Sequence, residues 1–141
     1  MPIDHKNIRV LALAMINHQG KFLACAGFDE LKNRRHYRLL GGGVEFGETS
    51  VQALRRELKE ELGLSINIVK LLGVEENRFI FNGRPGHEII FLYQVKLRSQ
   101  RAYRQNDFPI LDSKGAYRAE WIDSNNLRGA RFYPLLAVKY L

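Results

Sequence analysis

Hydrophobic positions along the chain fall into segments that alternate, or run together, in the manner of β-strands. Residues 8–17 form the most apolar segment, which predicts a central strand covered on both faces. A turn at 17–20 leads into a second predicted strand at 21–26. Polar residues at 27–36 and 99–114 predict connections. The remaining predicted strands are 38–40, 66–81 (as one long or two short strands), 88–97 and 117–122.

A different period begins after residue 48, where apolar side chains recur every three or four residues and predict a helix with one buried stripe. The stripe consists of Val51, Leu54, Leu58 and Leu62. Thr49 can cap the first turn with Gln52 completing a capping box, and Gly63 can end the helix. Pro134 favours the start of a short final helix over 135–141. Together these elements predict an α/β fold with a mixed sheet.

Composition narrows the class of protein without naming a reaction. The 141 residues predict a single domain, and 45% hydrophobic residues predict a packed core. The longest apolar runs are too short for a transmembrane helix, and residues 1–6 lack the apolar segment of a signal peptide. The single cysteine, Cys25, excludes an internal disulfide, and we expect a cytoplasmic setting. The net charge of +7 favours anionic partners, yet the basic residues form no long run.

The glycine turn 41–43 and the helix after it carry the candidate chemistry. Three glutamates, Glu57, Glu60 and Glu61, lie on a helix face roughly 110° from the apolar stripe. Without a cation they would repel one another and raise each other's pKa values, whereas a divalent metal with oxygen ligands removes that repulsion. Glu60 and Glu61 alone are more typical of a solvated acidic helix face than of a metal site. Arg56 can brace the Glu48 carboxylate through a bidentate pair.

The full spacing is more specific than the acidic cluster. The spacing resembles the Nudix box at every defined position. It consists of Gly42, five residues, Glu48, seven residues, Arg56-Glu57-Leu58, one residue, Glu60-Glu61, one residue and Gly63-Leu64. The resemblance implies a Nudix-type α/β/α sandwich with a mixed β-sheet. It also implies hydrolysis of a nucleoside diphosphate linked to another group, with Mg²⁺ or Mn²⁺.

The resemblance also implies roles for individual residues. Glu57, Glu60 and Glu61 are the expected metal ligands, with the Gly41 carbonyl as a further candidate. Glu57 is also the candidate to orient or deprotonate the attacking water. Arg56 and Glu48 are the supporting pair, and Glu45 has a weaker role. Substrate-binding candidates outside the box are Arg38, Phe79, Glu88 and Glu120, and for the two glutamates a catalytic base and a structural role both stay open.

Three functions remain open at this point. The first is a pyrophosphohydrolase acting on a phosphorylated small molecule, with a nucleotide derivative as the expected partner. The second is an RNA-end-processing enzyme, suggested by the basic charge. The third is a non-catalytic nucleotide-binding protein on the same fold. Residues 78–81, where substrate subclass is often marked in this family, carry neither the proline nor the tyrosine of two known subclasses. No membrane partner is expected, and a second copy of the chain is a further candidate partner.

Overall fold

The computed structural model describes residues 7–29, 34–81, 83–111, 117–127 and 129–141. One α-helix, α1 (Ser50–Leu62), lies between two groups of strands, and 3₁₀ turns form at Ala102–Arg104 and Leu135–Tyr140. The strands are β1 (Arg9–Met15), β2 (Asn17–His18), β3 (Lys21–Asp29), β4 (Arg34–Gly43), β5 (Ile66–Phe81), β6 (Arg84–Leu97), β7 (Phe108–Pro109), β8 (Arg118–Asp123) and β9 (Arg131–Tyr133).

The strands form a mixed sheet in the order β5-β6-β1-β4-β3-β8-β7, with β2 beside β3 and β9 beside β4. Strand β4 joins the two halves, because residues 40–43 pair with β1 while residues 34–39 pair with β3. The β1–β6 and β4–β9 pairs are parallel and the others are antiparallel. The glycines therefore lie where β4 passes from one half of the sheet to the other.

Strand β1 divides the core into two layers, because its side chains alternate between the faces of the sheet. Ala12 and Ala14 pack on the side of α1, whose Leu54 and Leu58 are fully buried. Leu11 and Leu13 pack on the opposite side, where the terminal 3₁₀ turn adds its buried residue, Ala137. The prediction of a central strand covered on both faces is confirmed, as is the α/β sandwich.

The ends of α1 follow the capping rules. The Thr49 hydroxyl accepts a hydrogen bond from the Gln52 N–H at 3.1 Å, and the Gln52 side chain accepts one from the Thr49 N–H at 2.8 Å. Gly63 adopts a left-handed conformation at φ 68°, and its N–H donates to the Lys59 carbonyl. Loss of such a cap typically costs about 1 kcal/mol. The helix therefore begins and ends where its local sequence predicts.

Several predicted boundaries were wrong. Residues 27–29 and 34–36, predicted as a connection, continue β3 and β4, because backbone pairing extends the hairpin even where Arg35 and His36 are exposed. The predicted final helix is a 3₁₀ turn. Strand β9 was not predicted, because three residues are too few to show the two-residue alternation of a strand. The connection 99–114 contains β7, and β6 starts at Arg84, four residues before the predicted start of that strand at residue 88. Residues 1–6, Asn82 and residues 112–116 lie outside the described residues.

Within the described part of the chain, no helix has both the length and the apolarity needed to cross a membrane.

Candidate functional site

The glycines at the end of β4 allow α1 to lie against the strand. A Cβ atom on Gly42 would lie 2.4 Å from Cδ of Glu57, so only glycine leaves room for that carboxylate over the strand. Gly41 has φ 140°, and a Cβ there would lie 2.0 Å from the Ala12 carbonyl oxygen. The strand and the helix thus meet at a bare stretch of backbone, with Glu57 directly over it.

Arg56 organises the carboxylates around this point. Its Nη2 and Nε atoms donate to the two oxygens of Glu48 at 2.7 and 3.2 Å, a bidentate pair. Nη2 also donates to the Gly43 carbonyl at 3.0 Å, which ties the helix to the glycine turn. Nη1 donates to Glu57 at 3.0 Å and to Glu60 at 3.4 Å. One guanidinium therefore links the loop, the strand end and the acidic helix face.

The hydrogen bonds between Arg56 and Glu48 shift the pKa values of both side chains. The hydrogen bonds from Arg56, and then the one from the Glu45 N–H at 2.8 Å, lower the pKa of Glu48 below its usual value. The Glu48 carboxylate in turn raises the pKa of Arg56. Both groups stay charged across the physiological range, so this pair acts as a fixed brace between loop and helix.

The box glutamates offer oxygen atoms, the donor type that Mg²⁺ and Mn²⁺ prefer. The Glu60 side chain is exposed (57%), whereas the Glu57 side chain is only 17% exposed, the same fraction as Glu48. Among the described residues, no three His, Cys, Asp or Glu side chains converge in a metal-binding arrangement. Glu57 and Glu60 instead each contact Nη1 of Arg56. The donor set fits a hard divalent cation, and its present contacts are with a guanidinium.

Arg38 lies on β4, three residues before Gly41. Its backbone is opposite Cys25 of β3 on one side and Tyr133 of β9 on the other. Burial raises the pKa of the Cys25 thiol to about 11, while the charge of Arg38 lowers it and that of Glu61 raises it. Arg38 and Glu61 therefore lie near the same thiol, which brings the predicted substrate-binding arginine close to the box helix.

The other predicted substrate residues are separated by the fold. Glu88 is buried at the start of β6, and it accepts a hydrogen bond from the Tyr133 hydroxyl at 2.5 Å. Phe79 packs over Gly86, where a Cβ would lie 2.3 Å from Cζ of the ring. Glu120 is exposed on β8, and its charge acts on Arg35. No hydrogen bond or ion pair among the described residues joins Glu120 to the box.

Two residues near Glu88 were missed. Neither Tyr133 nor Asn77 was predicted as a site residue. Asn77 lies directly opposite Glu88 in the β5–β6 ladder. The dipeptide Asn82-Gly83 carried that information in the sequence, since it is typical of a two-residue hairpin turn, which sets the residues that face each other in the flanking strands. Tyr133 had no such signal, because its contact with Glu88 joins residues 45 positions apart.

An open cavity of about 690 Å³ lies at the end of the β5–β6 hairpin. Asn77 and Phe79 line it from β5, Gly86 and His87 from β6, and Leu135 from the C-terminal segment. None of the box glutamates lines it. In the described part of the chain, this cavity beside Asn77 is therefore separate from the box glutamates.

Comparison with known proteins agrees with this architecture. The family model described as the NUDIX domain matches residues 5–137. The MutT NUDIX hydrolase of Burkholderia pseudomallei superposes with a TM-score of 0.64 at 22% identity, covering 86% of this chain and 87% of that one. The E. coli ORF135 protein superposes with a TM-score of 0.60 at 20% identity, covering 99% of this chain and 94% of that one. At such identities the structural likeness shows the fold alone.

Sequence relatives cover less of either chain. The mouse 8-oxo-dGDP phosphatase NUDT18 is 41% identical over 88 residues, 57% of this chain and 26% of its own length. An uncharacterized Nudix hydrolase of Nostoc sp. is 37% identical over 60% of this chain and 47% of its own length. The nucleoside triphosphatase NudI of Enterobacter sp. is 42% identical over 44% of this chain and 46% of its own length. The matches thus span less than half the length of each of these relatives.

Proposed function

The chain belongs to the Nudix hydrolase family, and we propose that it hydrolyses a nucleoside diphosphate derivative in a reaction that depends on Mg²⁺ or Mn²⁺. One observation carries the proposal: the Glu57 carboxylate lies against Gly42 within a complete box whose loop and helix are joined by Arg56. Nudix relatives named for nucleotide phosphates, the mouse 8-oxo-dGDP phosphatase and the Enterobacter nucleoside triphosphatase, support a nucleotide substrate.

Glu57, Glu60 and Glu61, with the Gly41 carbonyl, are the groups that would hold the metal. When bound, the metal supplies positive charge to the diphosphate and lowers the pKa of a coordinated water. Glu57 and Glu60 would exchange their contacts with Arg56 for contacts with the cation. The exposure of Glu60 supports such an exchange, and the contact of both carboxylates with one guanidinium nitrogen brings their oxygens close together.

The chain's own residues have distinct roles in this proposal. Glu57 orients the attacking water or removes its proton. Arg56 and Glu48 hold the glycine loop against α1, which fixes the distance between the Gly41 carbonyl and the helix carboxylates. Arg38 contributes positive charge at the rim of the same cleft and can contact a phosphate oxygen. The chain's single cysteine, Cys25, cannot form an internal disulfide, which supports a reducing cytoplasmic setting.

The proposal is tested by incubating the protein with a panel of nucleoside diphosphate derivatives and nucleoside triphosphates, with Mg²⁺, with Mn²⁺ or with a chelator. We expect metal-dependent cleavage of a phosphoanhydride bond, and product masses from ¹⁸O-water identify the phosphorus attacked. No cleavage of any nucleotide with either metal would reject the proposal. A 5′-triphosphorylated RNA in the same panel tests the alternative that the net charge of +7 suggests. Cleavage of RNA ends alone would replace the small-molecule substrate with that one.

A further inference from the structure

Strand β5 forms one edge of the sheet. It pairs with β6 on one side, and in the described part of the chain no strand pairs with it on the other side. The ladder with β6 shifts register at two places before Gly73, but it is regular from Gly73 to Phe81. Bulges and prolines are common features that keep an edge strand from pairing with another chain. Residues 73–81 contain neither, so this part of β5 is an open template for a further strand.

Alternate residues of this segment direct their backbone groups out of the edge. In an antiparallel ladder every second residue bonds to the residue opposite, and the residues between them point their N–H and C=O groups away. The two-residue loop between β5 and β6 makes Phe81 and Arg84 a hydrogen-bonded pair. The odd-numbered residues from 73 to 79 therefore bond to β6, whereas the even-numbered residues from 74 to 80 point outward. Pro85, which has no N–H to donate, lies opposite Ile80, as this alternation requires.

The four outward residues form a strip whose sequence is complementary to its own reverse. They are Val74, Glu76, Arg78 and Ile80, and all four are exposed, Val74 at 50% and Ile80 at 78%. From either end the order is an apolar residue, two opposite charges and an apolar residue. Among the described residues, neither Glu76 nor Arg78 forms an ion pair with another side chain. Each charge of the strip is thus available to a neighbouring strand.

We propose that two copies of the chain pair antiparallel through residues 73–81 of β5, which joins their sheets into one. A two-fold axis at Asn77 sets Glu76 of each copy opposite Arg78 of the other, and Val74 opposite Ile80. Opposite charges and apolar side chains that face each other across strands are stabilising, whereas like charges are destabilising. A shift of the axis by one residue would set either Glu76 or Arg78 opposite itself. The charges therefore select this register.

The structure around β5 leaves room for the second copy. The C-terminal turn contacts the strand elsewhere, because the Tyr140 hydroxyl donates to the Leu72 carbonyl at 3.1 Å and the Leu136 N–H donates to the Glu75 side chain at 3.3 Å. Neither contact uses the outward backbone groups of the strip. The open cavity of about 690 Å³ is lined by residues 75–80, so free space borders the same segment. None of the box glutamates lines it, and the inference does not depend on the proposed hydrolysis.

Sedimentation velocity over a range of protein concentrations tests the proposal with variants that change only charge. We expect the wild-type chain to dimerise with a micromolar dissociation constant. Glu76→Arg or Arg78→Glu sets like charges opposite each other on both sides of the axis, so each should weaken dimerisation by about tenfold or more. The chain with both substitutions regains opposite charges in the same register, and its affinity should return to within about threefold of wild type.

Arg104→Glu is the matched control for Arg78→Glu. It makes the same change of charge on an exposed residue of a 3₁₀ turn outside the sheet, and we expect it to leave dimerisation unchanged. Circular dichroism checks that each variant is folded. Mixing the Glu76→Arg chain with the Arg78→Glu chain should produce a mixed dimer, because every facing pair then has opposite charges.

A cysteine at the axis tests the register directly. Asn77 would face itself at a Cα separation of about 4.5 Å, within the range that a disulfide spans. We expect Asn77→Cys to form a cross-linked dimer on mild oxidation. Ile80→Cys is the control, since two copies of residue 80 would be about 20 Å apart along the strands. If Asn77→Cys does not fold, the charge variants decide alone.

Three results would overturn the proposal. A wild-type chain that stays monomeric up to about 1 mM would exclude self-pairing and leave the edge to a strand of another protein. A dimer that neither charge variant weakens would place the interface elsewhere on the chain. A double variant that does not recover the affinity lost in the single variants would exclude the antiparallel register.

Discussion

Glu48 and Glu88 are both sheltered carboxylates, but their surroundings satisfy them in different ways. Glu48 receives two hydrogen bonds from the Arg56 guanidinium and a third from the Glu45 N–H. Glu88 is more deeply buried and receives its hydrogen bond from the neutral hydroxyl of Tyr133. A full positive charge and three donors offset the desolvation of Glu48. One neutral donor offsets much less of the desolvation of Glu88.

The difference separates a charged brace from a neutral one. Glu48 holds the glycine loop against α1 through the Arg56 guanidinium. Glu88 instead joins β6 to β9 through the Tyr133 hydroxyl, with no full charge opposite it in the contact. We therefore expect substitutions around Arg56 to change both stability and reaction rate, and substitutions around Glu88 to change stability.

The largest expected effect comes from Glu57→Gln, which keeps the size of the side chain and removes its charge. A metal ion and its activated water supply several kcal/mol of transition-state stabilisation. We expect kcat to fall by about a thousandfold or more for every nucleotide, with the thermal unfolding temperature little changed. Glu61→Gln should behave in the same way.

Glu120→Gln is the matched control, since no described hydrogen bond or ion pair joins Glu120 to the box. Steady-state kinetics with Mg²⁺ provide the measurement. A Glu57→Gln enzyme with the wild-type rate would remove Glu57 from the reaction. A comparable loss of rate in Glu120→Gln would instead show that Glu120 takes part in the reaction.

A smaller effect is expected from Arg56→Ala, which removes the brace and leaves Glu48 without its cation. We expect the thermal unfolding temperature at pH 7 to fall by about 5 °C or more. Arg118→Ala is the control, because the Arg118–Asp107 pair has side chains 60% and 54% exposed. Exposed pairs contribute little to stability. Equal shifts in the two variants would show that Arg56 is an ordinary surface arginine.

The stability difference between wild-type and Arg56→Ala should become smaller as the pH is lowered. The pKa of Glu48 is lower in the folded chain than its ordinary value of 4.5. Its pairing with Arg56 therefore stabilises the fold above pH 4.5, and that stabilisation is lost as the pH falls through the folded-state pKa. The gap between wild-type and Arg56→Ala should narrow in acid, and thermal melts between pH 3 and pH 7 would show it. A gap that stays constant would assign the effect of Arg56 to packing.

The smallest expected effect concerns Cys25, which lies opposite Arg38 in the β3–β4 ladder. With its pKa raised from 9.0 to about 11, the thiolate fraction at pH 8 should be lower by about a hundredfold, and alkylation by iodoacetamide correspondingly slow. Arg38→Gln should raise this pKa further, and Glu61→Gln should lower it. Alkylation rates from pH 7 to pH 11 report both shifts. If neither variant shifts the pH profile of alkylation, the charges of Arg38 and Glu61 do not act on the Cys25 thiol.

Local sequence patterns correctly predicted the secondary-structure elements that are defined by residues close together in the chain. The apolar period and the caps at Thr49 and Gly63 placed α1 correctly, because helix hydrogen bonds join residues four apart. The nearly continuous apolar run of β1 predicted a strand covered on both faces. The pairing of residues 27–29 with residues 34–36 was missed, because the pairing of exposed polar strands depends on backbone hydrogen bonds rather than on hydrophobic period.

The sequence by itself determined the box, its helix and the family, since Gly42, Glu48, Arg56 and Glu57 lie close enough in the chain for spacing to define their geometry. Only the tertiary structure decided that Arg56 engages Glu57 and Glu60 as well as Glu48. It alone brought Tyr133 to Glu88, across 45 residues and a parallel pair between β4 and β9. Such contacts depend on how the strands are ordered in the sheet, and that order is settled by the packing of both core layers at once.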